Sequence, residues 1–344
     1  MAWIAIVSSR HDRKVGDGGN LLPDPLVYSL KREVQEPMKN SRLAFTLLTG
    51  LAVAGLAAPQ ALADGKSKHK DHASFGEEVA SWFEGFGEGL AETFSGPKRT
   101  AAPFMWSGRL AAGKTVEVRG INGPIRALAS SGSEVELVAI RSGRRNDPES
   151  VKIDVVQHEG GVTICAVYPS KDPSRPNVCK PGGSRMNVRN NDVNVEFEIQ
   201  IPRNLSFEGR TVNGGIRAEV DGQAAVSTVN GSIEVTAGTL TEATTVNGSI
   251  RAEVRDGTNA SASGHDIKLS TVNGSVRLRL PEGVDADVSA KTVNGGITSD
   301  FTEIEVIKKW GPHSAQGKLG RGGRELELST VNGGIRITRG ADDK

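Results

Sequence analysis

The carboxylates of this chain that could do chemistry are Asp256, Asp266, Asp285, Asp287 and Asp300. Gathered over a sugar, such residues would suit cleavage of an acidic polysaccharide, with several acid oxygens holding calcium and a base taking a proton. They are instead scattered among segments that read as corners and loops. His158, His265 and His313 lie far apart with no partner at ligand spacing, and no G-x-S-x-G nucleophile motif occurs. His69 and His72 sit in a polar tail, DGKSKHKDHA, where solvation is the simpler reading. The glycine-rich GKLGRGG at 317–323 runs into the strand-like ELELSTV, whereas a phosphate loop must open a helix. No catalytic residue, metal or cofactor is assigned.

Cys165 and Cys179 are the only cysteines and flank a proline-rich stretch, YPSKDPSRPNV. Their spacing suits neither a C-x-x-C redox pair nor a zinc site, and predicts a disulfide that closes a surface loop in an oxidising compartment. With 42 Lys plus Arg against 41 Asp plus Glu there is no global cationic field, so a nucleic-acid partner is not expected. Forty-two glycines, 4% aromatic residues and many Asn and Thr favour strands and tight turns over helices.

The elements that position these residues come from a repeat. TVNG followed by an alternating run begins at residues 211, 228, 245, 271, 292 and 330, with a looser copy, GINGPIRAL, at Gly120. Successive Asn residues are separated by 17, 17, 26, 21 and 38 positions. Seventeen residues at about 3.3 Å each suffice for two or three short strands and their corners but not for a four-stranded blade. The reading is an all-β chain built as a parallel, right-handed β-solenoid, one repeat per coil. The 38-residue spacing is either two coils or one coil with an excursion.

Alternation assigns the faces. Ile267, Leu269, Thr271 and Asn273 share a parity, as do Leu326, Leu328, Thr330 and Asn332, so Asn213, Asn230, Asn247, Asn273, Asn294 and Asn332 are expected to face inward at a corner and bond as a structural ladder. Val212, Val229, Val246, Val272, Val293 and Val331 then form an outward stripe that invites a cover. Arg217, Arg251, Arg277, Arg279 and Arg336 also point outward, interleaved with Glu219, Glu234 and Glu253. Much of that grid neutralises itself; what remains could take a flat anionic or polyhydroxyl ligand.

Upstream, Met38 opens MKNSR, followed by the apolar Leu43–Ala58 and the small-x-small triplet Ala61, Leu62 and Ala63. This is the layout of a cleaved secretory signal over 38–63, shorter than the roughly 20 apolar residues of a membrane span. Residues 1–37 read as an unstructured upstream extension. In 64–103, a polar tail precedes Phe75, Val79, Trp82, Phe83, Phe86, Leu90 and Phe94, spaced as one apolar face of an N-terminal amphipathic helix over 74–95 that could cover the Val stripe. Residues 104–344 carry the strands.

With these corners and the closing GKLGRGGRELELSTVNGGIRI at 317–337, the chain resembles, over 104–340, the bacterial putative-adhesin domain family of unknown function. The resemblance implies a secreted or envelope-associated β-solenoid and adhesion without a fixed receptor. It brings no catalytic residue, and it accounts for neither the amphipathic segment nor the cysteine loop. The expected function is a non-catalytic exported module, periplasmic or extracellular, that presents a rigid face to an envelope glycan or protein; the alternative is a polysaccharide-active β-solenoid enzyme. No integral membrane span is expected in the mature chain. Mass spectrometry of the natural product should find an N-terminus at Asp64, and a cytoplasmic protein retaining residues 1–37 would contradict the export reading.

Overall fold

The computed structural model describes residues 97–255, 266–307 and 312–340. The expected upstream extension (1–37), signal (38–63) and amphipathic helix (74–95) lie outside the described residues. Those described are nearly all β. Their helical content is one 3₁₀ turn, Pro148–Ser150, where the Asp147 side chain accepts the Glu149 N–H at 3.1 Å. Among them, no helix is long and apolar enough to cross a membrane.

Each repeat contributes a strand segment to each of two parallel ladders, one before its Asn-Gly corner and one after. Before the corner, Gly161–Val167, Thr115–Arg119 and Ser206–Arg210 are followed by the second halves of Ile216–Ser227 and Ile233–Thr244. Ile267–Asn273, Glu325–Asn332 and Ala286–Asn294 complete that ladder. After the corner the order is Asn194–Pro202, Ile125–Ser130, the first halves of the two long strands, Ile250–Val254, Val276–Leu280, Ile335–Arg339 and Ile297–Ser299. Alternate residues are buried between the ladders, as with Ile216, Ala218 and Val220 or Leu326 and Leu328. This is the period-two consequence of the strand pleat.

The stacking order departs from the chain order at both ends. The last repeat, Glu325–Arg339, lies between the repeats 267–280 and 286–299. At the other end, Thr115–Ser130 is covered by Gly161–Val167 and Asn194–Pro202. The 38-residue spacing is therefore an excursion. Ile304–Ile307 and His313–Leu319 pair antiparallel with each other, and the second also pairs antiparallel with Ala286–Asn294. Lys152–His158 and Val135–Gly143 pair antiparallel with the opposite ends of the ladders. Antiparallel pairing at the ends occupies edges that would otherwise offer open backbone groups to another chain.

Every letter of TVNG has a distinct place at the corner. The threonine is buried and its Oγ1 donates to the glycine carbonyl of the neighbouring corner: Thr228 to Gly214, Thr245 to Gly231, Thr271 to Gly248, Thr330 to Gly274 and Thr292 to Gly333, all at 2.8–2.9 Å. The glycine is set by close approach, since a Cβ at Gly248 would lie 2.0 Å from the Gly231 carbonyl oxygen and one at Gly274 would lie 2.0 Å from that of Gly248. Real Cβ atoms cannot occupy that space without separating the corners.

Valine and asparagine are both exposed, which corrects the inward placement of Asn213, Asn230, Asn247, Asn273, Asn294 and Asn332. Strict alternation holds only while the chain is extended. The bend after threonine puts two successive side chains on its convex side.

Cys165 and Cys179 form a disulfide with Cα atoms 5.7 Å apart. It ties the loop after Gly161–Val167 to that strand and is worth about 3 kcal/mol by loop-closure entropy.

Gly248→Ala should cost about 3 kcal/mol or more in a denaturant titration, because the added methyl meets backbone on a fixed neighbour. Thr245→Val, which keeps the shape and removes only the donor, should cost about 1–2 kcal/mol. Equal, small losses for both would mean that the corners can move apart freely.

Candidate binding face

The exposed side chains fall into straight columns because the strands are in register. The asparagine column is continuous. Asn213 donates through Nδ2 to Oδ1 of Asn122, Asn230 to Asn213, Asn247 to Asn230, Asn273 to Asn247, Asn332 to Asn273 and Asn294 to Asn332, at 2.8–2.9 Å. Asn122, from the looser copy at Gly120, opens the column. Beside it runs the Val stripe, from Val212 at 39% exposed to Val293 at 46%.

After the corner, a charged column runs Glu198, Arg126, Arg217, Glu234, Arg251, Arg277, Arg336 and Thr298. A second column, two residues on, contains Glu219, Thr236, Glu253, Arg279 and Thr338. Glu234 sits between Arg217 and Arg251, at 3.8 and 3.5 Å, and Arg279 faces Glu253 at 3.8 Å. These are solvent-exposed pairs of small individual worth. Arg277 and Arg336 make no ion pair among the described residues. The structure thus brings Arg251, Arg277, Arg279 and Arg336 together, with Glu234 shared between Arg251 and Arg217.

Three serines were not singled out by the sequence. Ser232, Ser249 and Ser275 occupy the position after the corner glycine and line, with Glu234, Arg251 and Arg277, a groove of about 310 Å³. The Ser249 N–H donates to Ser232 Oγ at 3.3 Å and the Ser275 N–H to Ser249 Oγ at 3.2 Å. Their variable position inside the repeat, where Gly215, Gly296 and Gly334 stand in other copies, masked them.

The scattered carboxylates have structural occupations. Asp285 accepts the Arg321 N–H at 2.7 Å and its guanidinium at 2.8 and 3.0 Å, Asp287 accepts the Gly323 N–H at 2.8 Å, and Asp266 accepts the Glu325 N–H at 3.0 Å. Together they anchor the turn at 320–325, where Gly320 and Gly322 take φ of 52° and 72°, the left-handed conformation that favours glycine. The GKLGRGG run is therefore the end of strand His313–Leu319 and the turn that leads into the final repeat. Asp300 is exposed at the end of Ile297–Ser299, and Asp256 lies outside the described residues.

His158 is held by the Gly160 N–H at 3.1 Å and contacts Thr163 Oγ1 at 3.1 Å. Thr163 in turn donates to Glu117 at 2.7 Å, and Arg119 completes that buried cluster. His313 begins an antiparallel strand, and His265 lies outside the described residues. Among the described residues, no group of three or more His, Cys, Asp or Glu could hold a metal ion.

At the head of the charged column, Glu198 is only 7% exposed and its Oε1 has no hydrogen-bond partner among the described residues. Burial pushes its carboxyl above the ordinary 4.5, outweighing the pull of the facing Arg126 guanidinium.

No family model and no curated protein matches the sequence. Among solved structures, the chain is similar to a putative cell adhesion protein from Clostridium sporogenes, with 12% identity, a TM-score of 0.37 and coverage of 70% of this chain and 100% of that one. A putative adhesin from Bacteroides fragilis has 11% identity and a TM-score of 0.31, covering 69% and 97%. A putative lipid binding protein from Parabacteroides distasonis has 9% identity and a TM-score of 0.21, covering 70% and 97%.

Because the Glu198 pKa is raised on folding, the native state holds its proton more tightly than the unfolded chain. This residue's contribution to stability therefore grows as pH falls through the window just above 4.5. Glu198→Gln should be more stable than the parent at pH 7, with the difference closing as pH approaches 4.5. A pH-independent gap in melting temperature would show that the carboxyl is not held against desolvation.

Proposed function

We propose that the chain is a non-catalytic binding module, exported to the periplasm or cell exterior, whose two strand ladders are successive walls of a parallel β-solenoid. One observation carries the reading. Side chains of one type recur in register on the surface, Asn over seven corners and Val over six, and beside them run the columns of Arg, Ser and acid. A lattice repeating at the strand spacing, about 4.8 Å, suits a ligand that itself repeats, such as an envelope glycan or a protein displaying a repeated surface. The asparagine column is read as framework, since each amide spends a donor and an acceptor on its neighbours. The disulfide fits an oxidising compartment.

The alternative, a polysaccharide-active enzyme, needs free carboxylates over a substrate groove. Asp266, Asp285 and Asp287 are spent on the turn at 320–325. The deciding experiment presents the full chain to an array of neutral and acidic glycans and envelope polymers, and in parallel incubates it with those polymers and calcium. Saturable binding without release of shorter products is expected. Steady release of oligosaccharides would overturn the reading in favour of the enzyme.

A further inference from the structure

We propose that Arg251, Arg277 and Arg336, with Arg279 beside them, form an anion-binding row that holds an extended acidic polysaccharide along the strand stack. The proposal rests on the binding-module reading and names its ligand class. In chain order, Thr298 follows Arg277 and would interrupt the row. Threading of the final repeat between its predecessors places Arg336 directly opposite Arg277, with Thr298 beyond it. Three guanidinium-bearing residues then stand in register on consecutive parallel strands, about 10 Å from first to third.

Such a row is unfavourable on its own. Like charges directly opposite one another on neighbouring strands destabilise the pair. In the same column Glu234 separates Arg217 from Arg251, so an acid is accommodated there and relieves the repulsion. Beyond Arg251 the acids stop, and Arg277 and Arg336 have no ion pair among the described residues. A bound anion would supply the missing charge, and a planar guanidinium is well suited to grip a carboxylate or sulfate through paired donors.

The groove beside the row extends the match. Each backbone N–H in the serine column occupies one acceptor position of the preceding hydroxyl: Ser232 for Ser249, and Ser249 for Ser275. The hydroxyl protons have no acceptor among the described residues, so they can donate to a ligand oxygen. Glu234 at the end of the groove can accept from a sugar hydroxyl. Spaced acid groups on a polyhydroxyl chain satisfy this combination. The dense phosphates of a nucleic acid would meet Glu234 and Glu253, and the groove lining has no aromatic on which bases could stack. A lipid surface would find serine where it needs apolar anchors.

The test titrates the full chain with polygalacturonate and dextran sulfate, which separate carboxylate from sulfate as the anion. Neutral dextran, single-stranded RNA and phosphatidylglycerol vesicles serve as the other probes. At least one acidic glycan should bind, more weakly as salt rises, and Arg277→Glu with Arg336→Glu should weaken it at least tenfold. The double variant exchanges an opposed arginine pair for an opposed glutamate pair and gives Arg251 an acidic neighbour, so it should melt close to the parent temperature. Arg277→Ser, which removes charge without introducing an acid, should weaken binding in the same direction.

The proposal is overturned if neither acidic glycan binds, if folded variants bind as tightly as the parent, or if RNA or vesicles are preferred through the same arginines. Dextran binding indifferent to the arginines would also reject the acidic row, while leaving the binding-module reading intact. Release of oligogalacturonides would reject that reading instead.

Discussion

The structure depends on how closely one corner can lie against the next. A glycine carbonyl occupies the space where the following corner's glycine would carry a Cβ, and a buried threonine hydroxyl holds that carbonyl in place. The two requirements reinforce each other. Without the glycine the corners cannot touch, and without the threonine a half-buried carbonyl would lose the hydrogen bond it accepts. Because the contact is made by backbone, it fixes the register of both ladders at once. The residue two positions past the corner glycine, Ile216, Ile233, Ile250, Val276, Ile335 or Ile297, enters the core at every level. Register slippage, which would turn a whole strand inside out, is blocked by the same atoms.

From this constraint follow the exposed columns. A bend sharp enough to bring the glycines together leaves valine and asparagine on its outer side, so the asparagine amides face one another at the surface rather than in the core. Each donates to one neighbour and accepts from the other. In water, such a chain of amides adds less stability than the same chain buried, because each bond replaces one to solvent. Its regularity is a consequence of the corner more than a cause of it.

Much of this was legible in the sequence. The strand-favouring composition and alternating runs correspond to a nearly all-β chain, the cysteine spacing foretold the bridge, and the repeated TVNG marked the bends. The inward assignment of asparagine failed because parity was carried through a bend, where alternation no longer applies. The stacking order was not legible either. All the TVNG copies are alike locally, and nothing within Glu325–Arg339 states which neighbours it will take. The turn that leads into that repeat, at 320–325, is held where Asp285 and Asp287 accept backbone N–H groups. Read alone, those carboxylates looked like idle loop residues.

The same turn links architecture to surface chemistry. Had the repeats stacked in chain order, Thr298 would face Arg277, and the longest run of guanidiniums beyond Glu234 would be two. Inserting the last repeat one level earlier makes it three, while Thr298 is moved to the outer level, where an antiparallel excursion covers the strand before its corner. The charge pattern on this face is thus set by topology and cannot be obtained by listing outward residues in order. An acid-anchored turn more than 40 residues beyond Arg277 in sequence leads into the repeat whose arginine stands beside it.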